Sequence, residues 1–126
     1  MNINNKGITE ETMTEMGILP LSAQEIENKI IGKTIKGDWG TIRKYVCYFD
    51  PSGSAEGIND LDTESVGKWS IDMANNTISF EWDSYWDTWS GRMYEMDGKI
   101  LLFDEQSHQM RTLIHTIEDG RRGLKL

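Results

Sequence analysis

Turn residues recur along this chain at strand-length intervals, and that punctuation constrains the fold more than any other feature. The clusters are Gly37-Asp38, Asp50-Pro51-Ser52-Gly53, Asn59-Asp60, Asn75-Asn76, Asp97-Gly98 and Glu105-Gln106-Ser107. Between them, Trp69 and Ile71, then Ile78, Phe80 and Trp82, alternate with polar residues at the period of two that a half-buried strand requires. Asp97-Gly98, set between Met96 and Lys99, is the dipeptide favoured by a type I′ hairpin turn, and Asn75-Asn76 can take positive φ. The strands expected are 33–37, 41–49, 54–58, 66–72, 76–82, 88–96, 99–104 and 110–117, eight in all. Eight antiparallel strands linked in order can close on themselves and lose their edges, so the expected fold is all-β, an eight-stranded antiparallel up-and-down barrel. Trp69 is expected to anchor the core, with Gly67 leaving room for its ring.

One helix is expected before the strands. Ser22 can act as its N-cap and Glu25 as the returning half of a capping box, Ala23, Ile26 and Ile30 lie near one face, and Gly32 ends it. The helix is assigned to residues 22–31. Residues 1–19 mix Asn, Thr, Glu and Met without sustained period and read as a flexible or loosely docked N-terminal arm. The barrel domain then spans 20–118, and DGRRGLKL, residues 119–126, is a polar C-terminal tail.

A length of 126 residues suits one domain with one core. Only 37% of residues are hydrophobic, but five Trp, four Tyr and three Phe supply large buried areas. The net charge of −8 argues against nucleic acid or an anionic membrane as partner, since both need clustered Lys and Arg. The single cysteine, Cys47, excludes an internal disulfide and suits a monomer in a reducing compartment. The chain as given carries no signal-like apolar run and reads as cytoplasmic; if a leader has been removed, periplasmic or secreted is the alternative.

The succession LSAQEIENKIIGKTI, then YVCYF closed by DPSGSAEG, then VGKWSID, then ISFEW resembles a bacterial family of small calycin-like barrels of unknown function, over residues 21–104. Gly67-Lys68-Trp69 also looks like the G-x-W of lipocalins, here placed mid-chain and not on the first strand. The resemblance implies a lipocalin-like barrel with an internal cavity, and no catalytic residues. Members of that family are typically exported and tend to carry a cysteine pair around the second aromatic strand and the next. This chain has Ser79 and Ser90 in that region, so the resemblance implies a disulfide-free version.

The densest functional candidates are Trp82, Tyr85, Trp86 and Trp89, interleaved with Asp83 and Asp87 where a strand breaks into a loop. Such a group can bind a flat or cationic ligand at a barrel mouth, or simply plug one end of the barrel. Asp83 and Asp87 favour cationic or neutral ligands over anions. His108 and His115 are seven residues apart, on opposite faces of any strand that holds both, so no two-histidine metal site is indicated. Asp60, Asp62 and Glu64 lack the glycine and terminal glutamate of a calcium loop. Cys47 in YVCYF reads as a buried, un-ionised thiol. There is no Walker loop, dinucleotide fingerprint, nucleophile elbow or zinc spacing, so neither cofactor nor metal is expected. Three functions follow. The first is a non-enzymatic barrel binding a small, partly apolar or aromatic ligand. The second is an acidic interaction or inhibitory module whose loops 59–65 and 83–88 dock a basic protein. The third is a calycin-type enzyme using His115 or Arg92 with a carboxylate.

Overall fold

The computed structural model describes residues 7–126 and shows a closed, eight-stranded antiparallel barrel. Two short helices, α1 (Glu10–Glu15) and α2 (Ala23–Ile30), precede strands β1 (Lys33–Trp39), β2 (Arg43–Phe49), β3 (Ser54–Asn59), β4 (Glu64–Asp72), β5 (Thr77–Trp82), β6 (Trp89–Met96), β7 (Lys99–Asp104) and β8 (Met110–Asp119). Each strand pairs with the next, and β8 returns to β1 through pairs running from Lys33↔Asp119 to Trp39↔Thr112. The expected hairpin chemistry is present: Asn76, Asp97 and Gly98 all have positive φ. Gly37-Asp38, however, is no turn. Both residues pair within β1, where Gly37 gives way to the Tyr45 ring and the Leu113 carbonyl. Gly67 likewise accommodates the β5 backbone at Glu81, and not the Trp69 ring. Trp69 does face inward, but it is only half-buried against the core, and its indole N–H donates to the Asp50 carbonyl at 2.8 Å. Ser79 and Ser90 are direct cross-strand partners with their hydroxyls hydrogen-bonded to each other.

Helix α2 closes one end of the barrel. The capping box forms as its sequence requires: the Ser22 hydroxyl accepts from the Glu25 N–H, and the Ser22 N–H donates to the Glu25 carboxylate at 2.9 Å. Ala23, Ile26 and Ile30 are buried, and Ile26 and Ile30 face the barrel core with Leu21, Ile35, Phe49 and Ile78. Burying each isoleucine contributes about 1.5–3 kcal/mol. The helix is tied to the turns at that end: the Ala23 N–H donates to the Asn76 side chain at 2.8 Å, and Lys29 pairs with Glu95 at 2.8 Å. In an up-and-down barrel the other four connections, including 83–88, then fall at the opposite end, which no helix covers among the described residues.

The arm expected at residues 1–19 is more ordered than its composition indicated. Residues 1–6 lie outside the described residues. From Ile8 onward the segment is docked on the outside of the barrel, where Ile8 and the fully buried Met13 pack with Tyr94, Met96, Leu101, Phe103 and Met110 as a second core cluster. Outward-facing apolar residues on β6 and β7 thus need a cover, and α1 supplies it. Glu10 fixes the helix in place. Its carboxylate accepts from Arg92 Nε at 2.8 Å and the Tyr94 hydroxyl at 2.6 Å, and contacts His108 Nδ1 at 2.9 Å. Burial alone would raise the pKa of this carboxyl, but the hydrogen bonds from Arg92, Tyr94 and His108 together outweigh it and hold the group below the ordinary 4.5. Because the folded value is depressed, the stabilisation is fully present above the unfolded value and is lost as pH falls through the folded one. Glu10→Gln should therefore cost about 2 kcal/mol at neutral pH and flatten the loss of stability below about pH 4.5. Urea unfolding across that range checks this, and an unchanged acid profile would show that α1 is not held by Glu10.

Candidate functional site

At the end opposite α2 the barrel interior opens into a cavity of about 300 Å³. Its walls come from alternate, inward-facing positions: Ile35 and Trp39 of β1, Tyr45, Cys47 and Phe49 of β2, Phe80 and Trp82 of β5, Leu102 of β7, and Thr112 and Ile114 of β8. The rings pack against one another, and two of the pairs, Trp39 of β1 with Trp89 of β6 and Phe49 of β2 with Phe80 of β5, meet across the interior. Trp82 and Trp86 meet edge-on with centroids 4.9 Å apart, and Trp39 and Trp89 do the same at 5.6 Å. The aromatic group thus borders the cavity while packing across part of this end.

Of the six candidate residues, Trp82, Tyr85, Trp86, Asp87 and Trp89 lie on the cavity wall. Asp83 is exposed and not among the lining residues; its backbone N–H continues the ladder by donating to the Val66 carbonyl at 2.9 Å. The loop is stitched to its neighbours. The Ser84 hydroxyl lies 2.8 Å from that of Ser65 and accepts from the Trp86 N–H of the backbone at 3.1 Å. Tyr85, 70% exposed, reaches over to Thr63 and Asn59. These two bonds, and more weakly the Trp86 side chain, hold the Tyr85 phenol below its ordinary pKa.

The charges at the mouth are paired. Arg111 donates to Asp87 at 2.7 Å and to Asp104 at 2.8 Å while its guanidinium covers the Trp39 and Trp89 rings at 5.5 and 5.3 Å. Arg43 pairs with Asp60 at 3.1 Å and Lys44 with Asp38 at 3.3 Å. Asp87 thus shares one guanidinium with Asp104, which leaves the three groups a net charge of −1 and weakens the selection of Asp87 for cations. Deeper in, Thr112 donates its only hydroxyl proton to the Asp38 carbonyl at 2.9 Å, so at 2.6 Å the Tyr45 hydroxyl must donate to Thr112. Burial raises the Tyr45 and Cys47 pKa values well above their ordinary ranges and keeps both neutral. The buried Trp86 indole N–H has no hydrogen-bond partner among the described residues.

Sequence reasoning missed Trp39, Tyr45, Phe49, Thr112 and Arg111. The first-order signal was available for β2, since alternation in YVCYF puts Tyr45, Cys47 and Phe49 on one face. The residues considered for acid–base work lie elsewhere: His115 is the unpaired residue of a bulge, exposed beside Thr116, and Arg92 is bound to Glu10 beneath α1. A separate polar cleft of about 490 Å³ opens where β5 and β6 part after the Phe80↔Trp89 pair, and those two rings border both spaces. Comparison with protein-family models, with curated proteins and with solved structures gave no match.

A cavity can be distinguished from packed core by adding volume to it. Ile114 is buried on the cavity wall, on the same inward face of β8 as Thr112. Extra bulk costs about 1–3 kcal/mol in a filled interior. Ile114→Phe should cost less than about 1 kcal/mol, or stabilise, when measured by urea unfolding. A larger loss would mean that this part of the interior is already full.

Proposed function

We propose that this chain is a non-enzymatic, calycin-like barrel that holds one small, neutral, largely apolar or aromatic molecule in the cavity at its open end. The observation that carries this reading is the aromatic-walled space of about 300 Å³ whose bordering charges, Arg43, Lys44 and Asp87, are each already paired. Pockets that enclose small molecules begin at about this size, and an apolar cavity of about half this volume accepts one benzene ring. Two fused rings or a short alkyl chain fit the space. The likeness to bacterial calycin-like barrels in VGKWSID and ISFEW is part of this proposal, as a possible carrier fold.

A second reading has one observation in its favour. Ile42, Leu61 and Tyr85, on three connections at the open end, are 72, 60 and 70% exposed. A protein partner would meet an apolar rim there, with Asp62, Glu64 and Asp83 exposed beside it for a basic surface. The two readings separate in a tryptophan-fluorescence and thermal-shift panel of neutral two-ring aromatics, aromatic amines, fatty acids and nucleotides. Neutral aromatics at about 100 times their Kd should stabilise the fold by about 2.7 kcal/mol, nucleotides should not, and Ile114→Phe should abolish the effect. If nothing in the panel binds, the interaction module becomes the better account.

A further inference from the structure

The cavity offers an almost complete inventory of its own polar chemistry, and that inventory selects among ligands. Tyr45 spends its proton on Thr112, which spends its own on the Asp38 carbonyl. The Asn59 side chain accepts from the Leu61 and Thr63 N–H groups, both at 3.0 Å, and donates over a long 3.4 Å to the Tyr85 hydroxyl. One strong donor is left over. The Trp86 indole N–H is buried, its ring lines the cavity, and among the described residues no acceptor meets it in hydrogen-bond geometry. A buried donor left unpaired costs about 1–3 kcal/mol, which an incoming acceptor recovers.

The ring cannot easily turn away from this position. Trp82 stands edge-on against it at 4.9 Å. On the strand side, Gly57 supplies the gap: a Cβ there would lie 3.0 Å from the benzo edge of Trp86 and 2.6 Å from Cys47 Sγ. The benzo edge is thus seated against β3, and the N–H belongs to the opposite side of the indole. The Tyr85 hydroxyl is the polar group nearest that side, close enough for the indole to help hold its pKa down but outside hydrogen-bond geometry.

We propose that Trp86 Nε1 is the orienting donor of the site, so that the ligand is an uncharged, ring-sized molecule carrying one hydrogen-bond acceptor, such as a carbonyl, ether or ring-nitrogen group. This inference rests on the cavity being a binding site, and the experiment separates the two. Naphthalene and quinoline have the same shape and differ by one ring-nitrogen acceptor. Titrating each into the protein and into Trp86→Phe, which keeps an aromatic wall and removes the N–H, gives two affinity ratios. The preference for quinoline relative to naphthalene should fall about fivefold in Trp86→Phe, the factor for one net hydrogen bond. An indole ¹⁵N–¹H spectrum of the unmutated protein gives an independent readout that survives poor folding of the variant. Quinoline should move the Trp86 Nε1–H resonance downfield, and naphthalene should not. Binding of both probes with equal ratios and no selective shift overturns the donor assignment and leaves the cavity reading standing. Failure of both to bind the unmutated protein overturns both.

Discussion

Everything in this molecule depends on β8 returning to pair with β1. The pairs from Lys33↔Asp119 to Trp39↔Thr112 convert a meander into a closed wall, with one irregularity where His115 bulges out of register. Closure removes the unpaired edges that an open sheet of this kind would expose. It also sets the internal width, because an eight-stranded barrel has room for its own side chains or for one small ligand. What remains for the sequence to decide is which inward positions are filled. Helix α2 fills one end with Ile26 and Ile30. At the other end the inward positions are Cys47, Gly57 and Thr112 as well as the large rings, which pack against one another around the cavity.

That arrangement has a stability cost. A void of about 300 Å³, if left empty, forfeits on the order of several kcal/mol of packing. Natural chains accept such losses mainly where function requires them. The buried, unpartnered indole of Trp86 adds to the loss in the same place. Elsewhere polar groups at the barrel surface are met: Glu10 by Arg92 and Tyr94, Asp104 by Arg111, Thr34 by the Gly120 carbonyl at 2.8 Å, and the buried Glu56 Oε1 by its ion pair with Arg121. Unmet hydrogen bonding and unmet packing therefore coincide at the open end, which is why that end, and not the polar cleft beside β5, is the candidate site.

The fold was legible because period and punctuation agreed. Asp97-Gly98 and Asn75-Asn76 marked hairpins that the backbone confirms with positive φ, and the Ser22–Glu25 capping box announced α2. Errors arose where a residue type has two physical uses. Glycine at Gly37 and Gly67 signalled a turn and a space for a ring, but both are close backbone or ring approaches between neighbouring strands, invisible without register. Helix α1 escaped because six residues carry too little periodicity; its stability comes from burying Met13 and from Glu10, whose partners lie 82 to 98 positions away. The aromatic loop was located correctly by composition, whereas Arg111, Thr112 and Trp39 reach the same end only through barrel closure. The pairing of Asp87 was hidden for that reason, since Arg111 comes from the strand that closes the barrel.

The central claim is that the interior near Trp86 is open space. Crystals of the protein pressurised with xenon test it directly, since apolar cavities in proteins bind the gas. The account expects an ordered xenon atom bounded by Ile35, Cys47, Ile114 and the Trp86 ring. Side-chain density filling that volume, with no xenon taken up inside the barrel, would contradict it.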